Sequence, residues 1–586
     1  MCAVFTWQAV VKDLSINVSD LLSREAKPSS VSAYLAEFNA AYNASFGDLP
    51  LLPPEGLERG LAYVGTLNGM QGFVSKLMKR EAVEIVALGG STTEGKGAYL
   101  GNPYTLRFGR WLNGTFPASG PDAEAGHRLN NKGMGATPSS LYNLCSNRLV
   151  PEVSLDGGLF SLLRAECMLR ILQTGRDALV LCYGRGCLVN SPSHRPAFQT
   201  GDLYIVEFAV NDAWDAETEG VERKQFEQLL RRVLSLPGRP AVVMLLQYSY
   251  FKAEKQFFKS AEADMAMLGQ YYDLPVLSMR NAVWPLLLGS APGFSVKGQS
   301  LAQLKHDKTK PGTQAYEAQY LYADPSHPAD LTGHRLLSDL LVELVRVALE
   351  DWGLRRLAGA GAAEGPVSNS PARVSAGQMH VQDDAGQAGR GGGLLPPALR
   401  DNREPPEARC FLEEDFAGLI ASDEGFALRA LNPEGAGRAA QKWGWQADAA
   451  GSWIELDLRT DVATRVGGGN ASATGEEEGQ EPSQVALVLA IHRSWKEVGS
   501  ARLSCRRGCA CEERTLDGLW AAPTSQTGLV EVPVGRAERC LVRLTVRDLT
   551  DAPGNSTRFI LRGVVVSDML GAPLPTHPEK QVERMQ

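Results

Sequence analysis

A serine follows a short apolar strand and two glycines in the first third of the chain. Val83 to Leu88 is rich in aliphatic residues, as a buried parallel strand is, and Gly89 and Gly90 end it before Ser91. A serine on a turn at the carboxyl end of a strand exposes its hydroxyl, and its own N–H can point at a developing oxyanion. The segment therefore predicts a nucleophilic serine for acyl transfer.

Other interpretations compete for this segment. The Gly-x-Ser-x-Gly elbow of α/β-hydrolases does not fit, because Thr93 stands where the second glycine belongs. The phosphate-binding loop Gly-x4-Gly-Lys-[Ser/Thr] fails at its last position, because Gly97 replaces the hydroxyl that binds magnesium. Ser91 can also simply cap a helix. Nucleotide binding is disfavoured, whereas catalysis and capping both stay open from this segment alone.

A carboxylate and a histidine lie close together further along the chain. In Asp324-Pro-Ser-His327 they stand three residues apart, on a predicted loop ahead of a helix over 331–349. At that spacing the carboxylate can fix the imidazole tautomer while the other ring nitrogen faces the serine, and serine hydrolases use the chain order Ser, Asp, His. His334 is the alternative base, but its place inside the helical pattern favours a structural role.

Two further segments carry groups that can stabilise negative charge. Asn211 ends the predicted strand Leu203 to Val210, and an amide at the carboxyl end of a strand is a ready oxyanion donor. The pair Asn211-Asp212 can equally cap a helix, so both roles stay open. Gly135 lies in a glycine turn, and its N–H is a candidate for a further donor.

Taken together, these segments resemble the SGNH hydrolases, the GDSL-like esterase and lipase superfamily. The matching blocks are Gly90-Ser91 for the first, Asn130 to Gly135 for the second, Ala209 to Asp212 for the third and Asp324 to His327 for the fifth. The resemblance covers about residues 82–352. Gly90 stands where aspartate is usual in the family, and Ala209 stands where glycine is usual.

The resemblance implies a flavodoxin-like α/β/α sandwich around a mostly parallel sheet. Ser91 is the implied nucleophile, His327 its base and Asp324 the residue that orients the base. The implied oxyanion hole consists of the N–H groups of Ser91 and Gly135 and the side-chain amide of Asn211. No cofactor and no metal are implied. The family acts on lipids, polysaccharide acetyl groups, thioesters and small esters, so the resemblance does not fix a substrate.

Composition bounds the classes of protein that fit this chain. Its 586 residues suffice for two or three domains. The net charge of −8, with no basic stripe, argues against nucleic acid as a partner. No uninterrupted apolar run approaches about 18 residues, so no membrane span is expected.

Sequons and cysteines favour the secretory pathway or the extracellular space. The sequons are at Asn17, Asn43, Asn113, Asn470 and Asn555. The cysteines Cys505, Cys509, Cys511 and Cys540, with Cys410 before them, predict disulfides rather than free thiols, and zinc is least favoured because Cys-x2-Cys pairs are lacking. Residues 1–11 lack the basic region of a signal peptide, which a truncated or mispredicted start would explain.

Composition also divides the chain into parts. They are a mainly helical N-terminal extension (1–81), an α/β domain (82–352), a flexible Gly/Ala-rich linker (353–409), an all-β sandwich or jelly roll (410–569) and a disordered polar tail (570–586). Core strands of the α/β domain are predicted at Val83–Leu88, Leu203–Val210, Ala241–Leu246 and Leu274–Ser278.

Two features leave alternatives open. Residues 151–201 separate blocks that lie closer together in the resembling family, which indicates an inserted or wrongly translated segment, or else a genuine extra helix and lid. In the predicted all-β part of the chain (410–569), Trp443, Trp445 and Trp453 would make a platform for stacking on sugars, although core aromatics are the commoner explanation.

The sequence thus predicts a serine carboxylic ester hydrolase of the SGNH type, which removes O-acyl groups such as acetyl from a glycan or a small ester. Two alternatives stay open, a glycan O-acyltransferase that uses the same site and a catalytically inactive SGNH fold that only binds. The expected partner is an acylated small molecule or polysaccharide. Nothing in the sequence predicts the oligomeric state.

Overall fold

The computed structural model describes two regions of the chain, which we call the α/β region and the β region. The α/β region comprises residues 51–119, 126–150, 201–296 and 318–360, with the backbone of 180–183 and 186–189. A short segment, 394–402, leads to the β region, which comprises residues 408–431, 443–461, 484–520, 525–548 and 556–568. Residues 1–50 and the predicted tail, 570–586, lie outside the described residues, as do the side chains of 357–360.

A six-stranded mixed sheet forms the centre of the α/β region. The strands of this region are β1 (Leu61–Tyr63), β2 (Glu84–Gly89), β3 (Arg128–Asn131), β4 (Val180–Tyr183), β5 (Gly186–Val189), β6 (Leu203–Glu207), β7 (Ala241–Leu246) and β8 (Val276–Ser278). The order across the sheet is β1-β8-β7-β6-β2-β3, and β4 pairs with β5 in a separate hairpin. All sheet neighbours run parallel except β1, which is antiparallel to β8.

Helices cover both faces of this sheet. They are α1 (Pro54–Gly60), α2 (Gln71–Met78), α3 (Ser91–Glu94), α4 (Tyr104–Thr115), α5 (Ser139–Leu144), α6 (Ser146–Leu149), α7 (Val221–Leu234), α8 (Glu262–Tyr271), α9 (Met279–Gly289) and α10 (Arg335–Ala360). Side chains alternate along each strand, so that Ile85 and Ala87 enter one core while Val86 and Leu88 enter the other. The strands are apolar throughout because both faces are buried.

In the described part of the N-terminal segment, helices α1 and α2 are separated by one short strand and a turn. Between α1 and α2 the chain adds β1 to the edge of the central sheet and then makes a 3-10 turn at Asn68–Met70. Helix α1 packs closely on α10 at Gly60, where a Cβ would lie 2.3 Å from Leu340 Cδ2. With α1 held against α10, the next residues reach the free edge beside β8.

The β region consists of two antiparallel sheets that share one core. Its strands are β9 (Ala408–Leu412), β10 (Ile420–Glu424), β11 (Ala427–Ala430), β12 (Trp443–Ala447), β13 (Trp453–Leu458), β14 (Gln484–Arg493), β15 (Ser500–Arg507), β16 (Arg514–Asp517), β17 (Gln526–Gly535), β18 (Cys540–Val546) and β19 (Phe559–Ser567). One sheet has the order β10-β13-β18-β15-β16, and the other has β11-β12-β19-β14-β17 with β9 beside β19. Ile454 and Leu544 of the first sheet meet Leu487 and Val564 of the second.

The second of these sheets also packs on the α/β region. Ala486, Val488 and Ala490 of β14 and Val565 of β19 belong to the same buried cluster as Val86 and its neighbours in the central sheet. This explains why β14 is apolar at successive positions, because its two faces enter two different cores. The two regions are therefore joined by a shared core.

The range 353–409, whose composition predicts a flexible linker, contains segments that the structure describes. Helix α10 continues to Ala360, and residues 394–402 dock on α7. Buried Glu227 of α7 accepts hydrogen bonds from the N–H groups of Ala398 and Leu399 and from the side chain of Asn402. A carboxylate satisfied in this way anchors the segment against the helix. The remaining residues of that range lie outside the described residues.

Six cysteines of the described part of the chain form three disulfides. Two of them, Cys505–Cys511 and Cys509–Cys540, lie inside the β region and agree with the oxidised cluster that the sequence predicts. The sulfurs of Cys505, Cys509 and Cys540 lie close together, but all three are in bridges and offer no thiolate to a metal. The third bridge, Cys145–Cys410, was not predicted, and it joins the α/β region to β9.

Two sequence expectations concern segments that the structure covers only in part. Within 151–201 it gives Gly201 and the backbone of the β4–β5 hairpin, which pairs with no strand of the central sheet, and the rest of this segment lies outside the described residues. In the described part of the chain, no helix has both the length and the apolar character needed to cross a membrane.

We expect the Cys145–Cys410 bridge to hold the two regions together after the chain between them is cut. A site-specific protease sequence would be inserted within residues 361–393 and cleaved. On denaturing electrophoresis the two pieces should migrate as one band without reductant and as two bands with it, because the bridge spans the cut. Cys410→Ser should separate the pieces without reductant, whereas Cys505→Ser should not. Separation of the unsubstituted pieces without reductant would contradict the bridge.

Candidate active site

Ser91 begins α3 directly after β2 and two glycines. A side chain does not fit on either glycine, since a Cβ on Gly89 would lie 2.1 Å from Thr93 Oγ1 and one on Gly90 would lie 2.0 Å from Asn211 Oδ1. The strand order reverses between β2 and β6. Ser91 and Asn211, which follow these two strands, therefore meet at the switch point where open α/β sheets bind ligands.

Ser91, His327 and Asp324 form a hydrogen-bonded row. Ser91 Oγ lies 2.6 Å from His327 Nε2, and His327 Nδ1 lies 2.7 Å from each carboxylate oxygen of Asp324. When Nδ1–H donates to the carboxylate, Nε2 offers its lone pair to the serine hydroxyl. The His327 side chain is 17% exposed, so the row is accessible from solvent. This is the geometry in which a serine hydroxyl can pass its proton to a histidine.

The loop around Asp324 is shaped by its own carboxylate. Asp324 Oδ1 accepts the N–H groups of Ser326 and His327, each at 2.9 Å, which makes an Asx turn. Burial alone would raise the pKa of Asp324, but the charge and side-chain hydrogen bond of His327 and these backbone N–H groups hold it below its ordinary value. The carboxylate is therefore ionised at neutral pH and fixed beside the imidazole.

One buried amide connects the serine segment to the histidine loop. Gln247, which follows β7 and is fully buried, accepts a hydrogen bond from Thr92 Oγ1 at 3.2 Å, and its Nε2 donates to Ser326 O at 3.1 Å. Because Thr92 adjoins Ser91 and Ser326 adjoins His327, Gln247 fixes the separation of the two segments. The sequence analysis missed it, although a glutamine directly after the apolar strand Ala241–Leu246 was a visible signal.

Gly97 permits the close approach of the histidine loop. Its φ is +96°, and a Cβ there would lie 2.2 Å from Pro328 O and 3.0 Å from His327 Cβ. The glycine that breaks the phosphate-loop pattern therefore has a positive role here, because a side chain at this position would push the loop away.

His334 is engaged by backbone groups on both sides of its ring. Tyr104 N–H donates to Nδ1 at 3.3 Å, and Nε2 lies 3.0 Å from Lys96 O, so the proton resides on Nε2. Burial lowers the pKa of His334 to about 4. It is therefore a neutral imidazole that joins α10 to the loop after α3, and neither nitrogen is available to Ser91.

Asn211 and Asp212 contact two different neighbours. The Asn211 side chain packs over Gly90, where the missing Cβ leaves room for it. Asp212 is buried and accepts hydrogen bonds from Ser139 N at 2.9 Å and Ser139 Oγ at 2.5 Å, so it caps α5. Burial raises the pKa of Asp212 to about 6, although the bonds to Ser139 lower it. Asp212 thus holds the first residue of α5, a helix that lies earlier in the chain, and this contact differs from the local helix cap that the sequence left open.

Gly135 lies in the loop between β3 and α5, and this loop is held against the turn that carries Ser91. Met134 N–H donates to Gly89 O at 3.0 Å, and Tyr142 OH donates to the same oxygen at 2.8 Å. Gly133 lies so close to α3 that a Cβ would be 2.2 Å from Glu94 N. The structure therefore brings Gly135, Asn211 and Ser91, the three sequence-predicted oxyanion donors, to one turn.

A buried acid that the sequence analysis missed lies beneath this turn. Glu207 ends β6, is fully buried, and accepts a hydrogen bond from Thr93 Oγ1 at 3.0 Å. Burial raises the pKa of Glu207 to about 8, against the lowering effect of hydrogen bonds from Thr93 and the Gly90 N–H. The carboxyl is thus mostly protonated at neutral pH, so it braces the turn without adding a negative charge beneath the oxyanion donors.

The tryptophans that could form a sugar platform do not share one face. Trp443 and Trp445 lie on β12, whereas Trp453 lies on β13 of the other sheet. Trp445 packs on Phe416 with 5.5 Å between ring centroids, and the guanidinium of Arg543 covers the Trp453 ring at 3.9 Å. These positions agree with a packing role for Trp445 and Trp453.

The side chain of Asn113, the asparagine of one sequon, makes hydrogen bonds within the fold. Asn113 Nδ2 donates to Gly109 O and His127 O, and its Oδ1 accepts the His127 N–H. A glycan on Nδ2 would remove one of these hydrogen bonds. The other four sequons lie outside the described residues.

Comparison with known proteins gives structural similarity only. No protein-family model and no curated protein matches the sequence. The structure is similar to that of a two-domain esterase (CEX) active on acetylated mannans, with a TM-score of 0.48, 17% identity, and coverage of 87% of this chain and 98% of that chain. It is also similar to a possible lipase from Chitinophaga pinensis (TM-score 0.26, 15% identity, 46% and 99% covered). A third similar structure is a CBM35 from Cellvibrio japonicus (TM-score 0.17, 13% identity, 28% and 94% covered).

Gly90→Ala should displace the Asn211 amide. A Cβ at this position would lie 2.0 Å from Asn211 Oδ1, so the amide has to move. If this amide stabilises an oxyanion, kcat for p-nitrophenyl acetate should fall about 10²–10³-fold. Gly72→Ala is the matched control, because its Cβ would meet nothing within 4 Å. Equal kcat values for the two variants would show that the position of the Asn211 amide does not affect turnover.

His334 should make the protein less stable in mild acid. Its pKa lies near 4 in the folded state against an ordinary value of 6.5, so below pH 6.5 the unfolded chain binds a proton that the folded protein does not. Stability from this group is complete above pH 6.5 and declines as the pH falls to about 4, by up to about 3 kcal/mol. Urea unfolding at pH 7 and pH 4.5 should show a smaller loss in His334→Gln than in the unsubstituted protein. An equal loss would contradict this role.

Proposed function

We propose that this protein is a serine carboxylic ester hydrolase of the SGNH type, with Ser91 as nucleophile, His327 as general base and Asp324 as the residue that orients the base. The observation that carries the proposal is the row from Ser91 Oγ through His327 to Asp324, with separations of 2.6 Å and 2.7 Å. A hydroxyl near its ordinary pKa is a poor nucleophile, and this row supplies the base that it needs.

In the first half of the proposed reaction, Ser91 Oγ attacks the carbonyl carbon of the ester while its proton passes to His327 Nε2. Asp324 stabilises the imidazolium that results. The negative charge on the carbonyl oxygen is met by the N–H groups of Ser91 and Gly135 and by the Asn211 amide. When the tetrahedral intermediate collapses, the alcohol leaves with the proton from His327, and an acyl group remains on Ser91.

In the second half, water attacks the acyl group. His327 takes a proton from the water, and the same three donors stabilise the second tetrahedral intermediate. Its collapse releases the carboxylic acid and returns the proton to Ser91. If a sugar hydroxyl takes the place of water, the same steps transfer the acyl group to a glycan.

The strand order supports the SGNH fold type. Numbered along the chain, the five parallel strands β2, β3, β6, β7 and β8 have the order 2-1-3-4-5 that flavodoxin-like sheets have. Helices on both faces agree with an α/β/α sandwich. The three disulfides support a secreted protein, because such bonds persist in oxidising compartments.

We propose an O-acetylated glycan as the substrate, and the support is a cleft beside the site at the boundary of the two regions. Asn211, Asp212 and Ser140 line it from the α/β region, and Arg493 and Trp520 line it from the β region. A wall of hydroxyl, carboxylate, guanidinium and indole groups suits a sugar, which offers both hydroxyls and an apolar ring face. Acetylated mannan, on which the similar two-domain esterase is active, would be tried first.

Turnover of p-nitrophenyl acetate by purified variants tests the assignment. Ser91→Ala and His327→Ala should each abolish turnover with the fold intact, because each removes a reacting group. Asn211→Ala should lower kcat about 10²–10³-fold and change KM far less, since its contact is made chiefly in the transition state. His334→Gln is the comparison for the choice of base, and it should keep far more activity than His327→Ala because both ring nitrogens of His334 are bonded to backbone groups.

The outcomes separate the alternatives that the sequence left open. Unchanged turnover in Ser91→Ala would overturn the assignment, and activity in His327→Ala but not in His334→Gln would show that the base is wrong. Labelling by a fluorophosphonate, with the adduct mapped to Ser91, distinguishes an active serine from a fold that only binds. Acetyl release from acetylated mannan, measured with and without a free sugar acceptor, distinguishes hydrolysis from transfer.

A further inference from the structure

The loop that carries Gly135 makes hydrogen bonds to the β region. Gly135 O accepts a hydrogen bond from Arg562 Nη1 at 3.0 Å, and Ala136 O accepts one from Thr527 N at 2.7 Å. In the turn after β6, Asn211 O accepts a bond from Gln526 Nε2 at 3.2 Å. Two of the three proposed oxyanion donors therefore belong to residues whose own carbonyl groups are held by the other region.

The loop has a conformation that needs external support. Ala136 has a φ of +61°, in the left-handed region that costs a residue with a Cβ on the order of 1 kcal/mol or more. On one side, Met134 is bonded to Gly89 O of β2. On the other side, the carbonyls of Gly135 and Ala136 are bonded only across the region boundary, apart from a weak contact of Gly135 O with Thr137 Oγ1 at 3.4 Å. Without those bonds, the loop would be free to relax and to move the Gly135 N–H.

Arg562 is placed for this contact by an irregularity in its strand. The pairing of β19 with β14 shifts between Ala490 and Ile491, so that Leu561 pairs with Ile491 and Gly563 with Ala490, which leaves Arg562 as an extra residue. Such bulges redirect a side chain and are frequent beside active sites. Arg562 is 4% exposed, and its Nη1 also contacts Thr527 Oγ1. A buried guanidinium is costly unless it is bonded, so this one has a defined position.

We infer that Arg562 is a positioning residue for the oxyanion hole, which makes the β region a structural part of the active site. The inference rests on the proposed function. Arg562 does not contact the reacting atoms, but it fixes the peptide that follows Gly135, while Thr527 fixes the next one. The hole is then complete only when the β region is docked on the α/β region.

The test compares kcat and KM for p-nitrophenyl acetate in Arg562→Met, Arg562→Lys and the control Arg543→Met. Arg543 also lies in the β region, but it bonds to Glu455 and covers Trp453, both within that region. Arg562→Met should lower kcat about 10- to 100-fold, part of the effect of a lost oxyanion donor, with KM changed less than about threefold. Arg562→Lys should recover part of the loss, and Arg543→Met should lose nothing.

Each outcome either supports or overturns the positioning role of Arg562. The positioning role is wrong if Arg562→Met has the same kcat as Arg543→Met, or if it raises KM and leaves kcat unchanged. The proposed function still stands in that case, provided that turnover depends on Ser91. If the unsubstituted protein shows no turnover that depends on Ser91, both fall. If Arg562→Met does not fold, Thr527→Pro replaces it, because β17 is an edge strand and this proline removes the N–H that reaches Ala136 O. A fall in its kcat supports the role, and an unchanged kcat overturns it.

Discussion

The candidate active site depends on backbone segments that approach each other more closely than a Cβ would allow. Gly89 and Gly90 let Thr93 and Asn211 reach the turn before Ser91, Gly133 lets its loop rest on α3, and Gly97 admits the histidine loop. Close approach of this kind tolerates little adjustment, because the partners are backbone atoms or short, held side chains. The distances among Ser91, His327 and Asp324 follow from these contacts, since each of the three residues belongs to a segment fixed in this way.

Around this centre, side chains with no direct role in the proposed chemistry set the geometry. Gln247 joins the serine and histidine segments, Asp212 joins Asn211 to α5, and His334 joins α10 to the loop after α3. Each is buried and has its polar groups directed at the neighbouring segments. Buried polar groups that are satisfied in this way specify one arrangement, because any displacement would leave them without partners.

Much of the α/β region could be predicted from the sequence, and the reasons are local. Ala241–Leu246 is a strand with the predicted bounds, and the strands that begin near Val83 and Leu203 differ only at their ends. Strand β3 (Arg128–Asn131) was missed because its residues are polar and partly exposed at the edge of the sheet. Strand β1 was missed because its edge position follows from the packing of Gly60 on α10, which no local pattern encodes.

The docking of the two regions was not predicted, although a signal was present. The segment from Val485 to Ile491 lacks the alternation of apolar and polar residues that a strand with one solvent-exposed face has. Strand β19 is likewise buried along its whole length. By contrast, β18 alternates between buried and half-buried residues. A strand in a sandwich that is apolar at successive positions implies a second partner for its outer face. The contacts of Arg562 and Thr527 with the Gly135 loop were missed for the same reason, because they exist only when the two regions are docked.

The shared core also has a consequence for biosynthesis. The α/β region leaves the ribosome first, before Ala486, Val488 and Val565 are there to complete the core that the two regions share. At about 5–20 residues per second, the interval before those strands emerge is on the order of ten seconds. During that time the nascent chain presents an uncovered apolar surface and an unpaired Cys145, whose partner Cys410 arrives just ahead of the covering strands. A chaperone or an oxidoreductase that acts on this protein would therefore meet it in that interval, before the two regions close on each other.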